Sequence, residues 1–181
     1  MSVMDKLYDM FAADTQESRL IMKMTEYFRG DPKRIHHFIK VYTFAQTIGK
    51  LERLGEHDMN ILCTTAIVHD IGIKPAEEKY GAGHCGGKLQ EELGPEPARE
   101  MLTELGYDKK TIERVCFLIA HHHTYEGVDG ADWQILLEAD FLVNAYEDGL
   151  STNAVKTAGE KFFKTETGKY LLNTVFDTDI P

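Results

Sequence analysis

The stretch MNILCTTAIVHDIG, residues 59–72, reads as the end of a helix whose apolar side runs into a pair of ionisable residues. On a 3.6-residue period Leu62, Thr65 and Ala66 share a face with His69, so an imidazole closes the apolar stripe before Asp70-Ile71-Gly72 ends the segment. The pattern recurs. Asp140 follows Trp133, Leu136 and Leu137 on one stripe, His122 follows Val115, Leu118 and Ile119 on another, and His37 precedes Val41, Phe44 and Ile48 on a fourth.

Helical punctuation surrounds these stripes. Asp31-Pro32 puts a capping carboxylate before a proline at the first helical position, and the apolar spacing then runs to Leu51 before Gly55, a helix of about six turns. Asp58 is the expected cap of the segment from Met59 to His69. Pro95–Leu105 stops at Gly106, Asp108 caps a segment through Ala120, and Asp132 opens another through Tyr146. Val3–Phe28, with Leu7, Met10, Phe11, Leu20, Ile21, Met24 and Phe28, predicts one or two packing helices, and Asn153–Phe176 is also helical in pattern. Lys74–Gly87, with Pro75, Gly81, Gly83, Gly86 and Gly87, reads as a glycine-rich loop. No alternating strand pattern persists, and the fold class is all-α.

At 181 residues, 43% hydrophobic and 28% charged, the chain has the size and composition of one globular domain spanning 1–181, its motif-bearing core over about 31–147. Thirty acidic and twenty basic residues leave a net charge of −10, which argues against a nucleic-acid partner. Met1–Asp14 lacks a signal peptide's basic and apolar regions, and no apolar run is long enough to span a bilayer, so a cytoplasmic location away from membranes is expected. Cys63, Cys85 and Cys116 form neither a paired framework nor a Cys-x-x-Cys site.

One histidine on an apolar face is ordinarily a hydrogen-bonded core residue. Four ionisable groups closing four stripes are different, because burying each unpaired costs several kcal/mol and a shared cation removes that cost. Imidazole with carboxylate and no thiolate favours zinc, iron, manganese, nickel or copper over calcium or magnesium. In His69-Asp70 the imidazole can hold one ion while the carboxylate's two oxygens reach that ion and a second. Two ions can clamp a phosphoryl group and acidify a water. His84, in the glycine-rich loop, is the natural extra ligand for the second.

The order His37, His69-Asp70, His84, His121-His122, Asp140 resembles the HD-domain superfamily of metal-dependent phosphohydrolases. The local words agree: His37-x-x-x-Val41-x-x-x-Ala45, Ala66-Ile67-Val68-His69-Asp70-Ile71-Gly72, His84-x-x-Gly87, Ile119-Ala120-His121-His122-His123 and Glu138-Ala139-Asp140-Phe141-Leu142. The resemblance implies five core helices around a metal held by His37, His69, Asp70 and Asp140. It also implies a second site completed by His84 and the histidine run, as in the members with dinuclear centres. Two ions of iron or manganese are expected, with zinc, nickel and cobalt also compatible. The activity implied is hydrolysis of a phosphate ester or anhydride, a nucleotide first among them, with Asp70 bridging. A mixed-valence di-iron oxygenase and a non-catalytic metal- or nucleotide-binding module are the alternatives.

Three departures stand out. The family's basic residue after the His-Asp pair comes one position late, at Lys74, so Lys79, Lys88 or Arg99 are further candidates for holding phosphate. The run leaves the register open: the stripe selects His122, His121 is one residue away, and His123 is held in reserve. No Gly-Tyr-Pro word follows Asp129-Gly130, so the cyclic dinucleotide phosphodiesterase branch is unsupported. Tyr80 and Tyr125 flank the two loops as candidates to stack on a base or sugar. The expected partner is a small phosphorylated substrate, and a homodimer is left open.

Overall fold

The structure is a computed structural model that describes residues 15–181. The expected helix positions Leu7, Met10 and Phe11 therefore lie outside the described residues. The described elements are α1 (Gln16–Tyr27), α2 (Pro32–Leu51), α3 (Glu56–Val68), a 3₁₀ turn (His69–Gly72), α4 (Ile73–Tyr80), α5 (Gly87–Leu93), α6 (Pro95–Glu104), α7 (Lys109–Ile119), α8 (Ala131–Glu147), α9 (Thr152–Phe162) and α10 (Glu166–Phe176). No strand occurs among the described residues, so the fold is all-α.

The middle helix is α3, with α1, α2, α7 and α8 packed around it. Every residue from Ile61 to Val68 is buried, because a helix enclosed on all sides must be apolar all round rather than along one stripe. Buried apolar side chains from α1, α2, α3, α6, α7, α8, α9 and α10 form one cluster that includes Leu20, Phe38, Leu62, Leu118, Leu136 and Leu172.

Capping chemistry decides most boundaries. The Asp31 carboxylate accepts from the Arg34 amide at 3.1 Å with Pro32 in the first turn, and Asp108 accepts from the Lys110 and Thr111 amides at 2.9 and 3.1 Å. Asp58 is not a cap: α3 begins three residues earlier, after Gly55, and Asp58 lies in its first turn facing the positive helix end. Asp132 likewise sits inside α8, whose N-cap is Gly130, and its carboxylate holds the Arg114 guanidinium at 2.8 Å. The glycine-rich reading of Lys74–Gly87 is corrected too. Ile73–Tyr80 is helical, because Pro75 lies in the first turn, where its missing N–H is not needed, and the irregular segment shrinks to Gly81–Gly86.

The C-terminal pair α9 and α10 is tied to α8 by a buried carboxylate. Glu138 accepts from the Lys164 amide at 2.7 Å, the Thr165 amide at 3.0 Å, the Gln134 side chain at 2.7 Å and the Thr165 hydroxyl. Burial raises its pKa against the pull of these donors.

Candidate metal centre

Four elements bring the ionisable ends of their stripes to one place. His37 comes from the second turn of α2, His69 and Asp70 from the 3₁₀ turn below α3, His122 from just past the end of α7, and Asp140 from the middle of α8. His37, His69, His122 and Asp140 are all buried. Asp70 keeps 16% of its side chain open, which leaves the centre reachable from its side.

The hydrogen bonds at the back of each ring decide what its front offers. The Nδ1 of His69 lies 2.9 Å from the Ala66 carbonyl, and that of His122 lies 2.7 Å from the Ile119 carbonyl. The Nδ1 of His37 lies 3.1 Å from Glu147 Oε2. A carbonyl or carboxylate accepts and never donates, so each Nδ1 carries the hydrogen and each neutral ring turns an Nε2 lone pair inward. There His37 Nε2 and His69 Nε2 stand 3.2 Å apart, with Asp140 Oδ1 at 3.2 and 3.4 Å from them. Asp140 Oδ1 and His122 Nε2 are buried without a hydrogen-bond partner. Converging lone pairs and orphaned acceptors fit a cation, and imidazole plus carboxylate fits a transition metal.

Asp70 faces two ways. Its Oδ2 lies 3.5 Å from His37 Nε2 and 3.6 Å from His69 Nε2, while its Oδ1 lies 3.6 Å from His122 Nε2. The donor atoms of His37, His69 and Asp70 lie within 4.8 Å of one another, and so do those of Asp70, His122 and His123. The carboxylate is thus shared by two groups of donors.

His123 enters the second group because the chain turns after α7 and folds its ring onto that of His122, centroid to centroid 4.0 Å. Its Nε2 meets Gln90 Oε1 at 3.2 Å, and the Gln90 amide nitrogen donates to the Cys85 carbonyl at 2.6 Å, which leaves Oε1 to accept from the ring. A Cβ on Gly87 would stand 2.6 Å from the His123 ring, so the glycine of the word His84-x-x-Gly87 makes room for His123.

His84 and His121 are not brought into either group. His84 is exposed in the loop, its amide bonded to the Gly81 carbonyl at 3.1 Å. His121 points about 100° away from His122 along the helix end, stacks on Phe117 at 4.4 Å and meets Trp133 edge-on. Lys74 leans over the Tyr27 ring at 4.7 Å, near the Tyr27 carbonyl. Lys79 lies over Tyr80 at 5.0 Å, both exposed, and Lys88 is exposed at the start of α5. Arg99 is bound to Glu113. Tyr125 packs on Phe162 at 4.5 Å beside an open cavity of about 560 Å³ that Lys161 also lines. Glu147 was missed by the stripe reading, although it lies seven residues after Asp140 and hence on the same face of α8.

Electrostatics bind the cluster together. Burial would raise the pKa of Asp70 and Asp140, but the adjacent imidazoles hold both well below the usual carboxylate range. Burial works against protonated His69, yet Asp70 and Asp140 outweigh it and lift the pKa to about 9. Burial, then the neighbouring His122, holds His123 down to about 4.

The contribution of a histidine with a raised folded-state pKa is fully present below its unfolded value near 6.5 and lost as pH rises toward 9. Protein stripped with a chelator is expected to melt roughly 5–10 °C lower at pH 9 than at pH 6. Saturating manganese is expected to remove that drop, because a ligating nitrogen must be unprotonated. A stripped protein whose melting temperature holds or rises over this range contradicts the ion-pair account.

The family described as HD domain matches residues 34–154. A solved structure described as a predicted HD superfamily hydrolase from an uncultured Thermotogales bacterium superposes with a TM-score of 0.65 at 23% identity, over 94% of this chain and 91% of that one. No curated protein sequence matches the chain.

Proposed function

The chain belongs to the HD-domain family, and from that premise we propose that it is a metal-dependent phosphohydrolase acting on a phosphate ester or anhydride, a nucleotide foremost. The observation that carries the reading is Asp70, whose two oxygens address two separate groups of inward-facing ring nitrogens. His37, His69, Asp70 and Asp140 would hold one ion. Asp70, His122 and His123 would hold a second, in place of the arrangement through His84 and His121. Iron or manganese suits these donors. When bound, such a pair would supply positive charge to phosphoryl oxygens and acidify a bound water.

The chain's own residues prepare for this. Neutral His123 offers a lone pair at pH 7 without first losing a proton, since its pKa is about 4. Asp140 and His37, both buried, keep bulk water from the inner side, while Asp70 faces the opening. Tyr125, Phe162 and Lys161 line an open cavity that contains none of the candidate ligands, so in a protein of net charge −10 the bound ions themselves would supply the local positive charge that attracts an anion.

The test is metal content per chain on protein purified without chelator or air, followed by phosphate release from nucleoside mono-, di- and triphosphates and dinucleoside polyphosphates. Two ions per chain and metal-dependent phosphate release are expected. Oxygen uptake with an organic substrate in place of phosphate release, or a protein that holds no transition metal, overturns the reading.

A further inference from the structure

Three imidazoles turn Nε2 toward the centre, but their backs are held differently. His69 and His122 lie at the ends of α3 and α7 and use carbonyls three residues earlier, Ala66 and Ile119. His37 lies inside α2, and the acceptor its Nδ1 meets is not a carbonyl of its own helix. The acceptor comes from another element: Glu147, the last residue of α8, whose Oε2 is 3.1 Å from His37 Nδ1. The other oxygen of Glu147 is bound by Lys40, which stands one turn after His37 on α2 and reaches over the Tyr146 ring at 5.9 Å.

This placement runs against local preference. A carboxylate on the final turn of a helix faces the negative end of the dipole, and Glu147 is only 12% exposed. Two donors from α2, on opposite oxygens, hold it there. Lys40 is 41% exposed, so its charge is kept in water while its ammonium holds the buried carboxylate in place.

We propose that Glu147 is the positioning residue for His37 and that Lys40 holds Glu147 in register, so that the pair determines how tightly the His37, His69, Asp70 and Asp140 group takes its ion. The proposal rests on the metal reading given above and goes beyond it. A carboxylate behind a ring makes it a stronger donor than a carbonyl does. The group containing His37 therefore fills before the group of Asp70, His122 and His123, whose rings are backed by the Ile119 carbonyl and the Gln90 amide.

The experiment uses the full chain, stripped and titrated with manganese alone against a competing chelator, in wild type, Glu147→Gln, Glu147→Ala and Lys40→Met. Ring nitrogen shifts of the stripped, ¹⁵N-labelled protein report the His37 tautomer independently of metal. Glu147→Ala is expected to weaken the tighter manganese step by about 10–100-fold and leave the weaker one in place. Glu147→Gln, which keeps an acceptor without the charge and preserves shape, is expected to lose less, and Lys40→Met less again. In Glu147→Ala the His37 ring is expected to lose its single Nδ1–H form, which a merely structural role for Glu147 would not bring about. Unchanged affinity and an unchanged tautomer in both Glu147 variants overturn the proposal. A wild type that takes up no manganese overturns the metal reading itself, an outcome distinct from tight wild-type binding that the variants share.

Discussion

Asp70→Ala is expected to lower metal-dependent phosphate release by about 10³-fold or more and to remove at least one ion per chain. The size follows from sharing. The other inward-facing side chains address one group each, whereas Asp70 presents Oδ2 to His37 and His69 and Oδ1 to His122. Its loss removes a negative donor from both positions together. Asp70→Asn keeps the shape and one carbonyl oxygen but turns an amide toward one group, so it should retain one position better than the other. Far-UV circular dichroism is expected to remain helical, because Asp70 lies on the 3₁₀ turn and caps no helix. The measurement is turnover with metal content on the same preparations. A variant that keeps a tenth of wild-type activity with both ions bound shows that Asp70 is not shared.

Gly72→Ala should be the most damaging single methyl near the centre. Its φ of −68° is open to any residue, so the requirement is not conformational. A Cβ there would stand 2.5 Å from the Gln90 carbonyl oxygen and 2.9 Å from the Gly94 amide nitrogen. Both obstacles are backbone, and no rotamer change can clear them. The 3₁₀ turn must move away from the α5–α6 junction, carrying Asp70 with it and parting it from Gln90, which braces His123. Overpacking of this kind costs about 3 kcal/mol, or roughly 6–12 °C in melting temperature for a chain of this size. Gly86→Ala is the control, since a Cβ at Gly86 meets nothing within 4 Å. A Gly72→Ala protein that melts with wild type, and binds manganese as it does, would show the junction to be pliable.

Much of the site was readable because helices impose a period. His37, His69, His122 and Asp140 each closed an apolar stripe, and four such ends cannot be buried separately without a common partner. His84 and His123 were harder. His84 follows a glycine, in a segment where no period operates, and proximity in sequence to Gly86 and Gly87 says nothing of direction. His123 lies with His122 in the turn after α7, so the helical offset that selected His122 does not fix the direction of its neighbour. Glu147 was open to the same periodic test as Asp140, but a carboxylate at a helix end also reads as an ordinary solvated residue.

Local chemistry by itself determined the helical class, the long helices α2, α7 and α8, the stop at Gly106, the caps at Asp31 and Asp108, and which helix faces turn inward, whereas α4, the start of α3 and the end of α2 at Leu51 were not legible from it. It also placed the chain in its family through an ordered set of words. Tertiary structure alone decided which atoms meet: that the two oxygens of Asp70 address different groups, that His123 rather than His84 stands beside His122, and that α8 lends Glu147 to a ring on α2. Periodicity constrains a side chain's direction about its own axis and nothing more. Distances between atoms on different helices depend on how close the backbones come, and here that is governed by contacts far apart in sequence, such as Gly72 against Gln90 and Gly87 against His123.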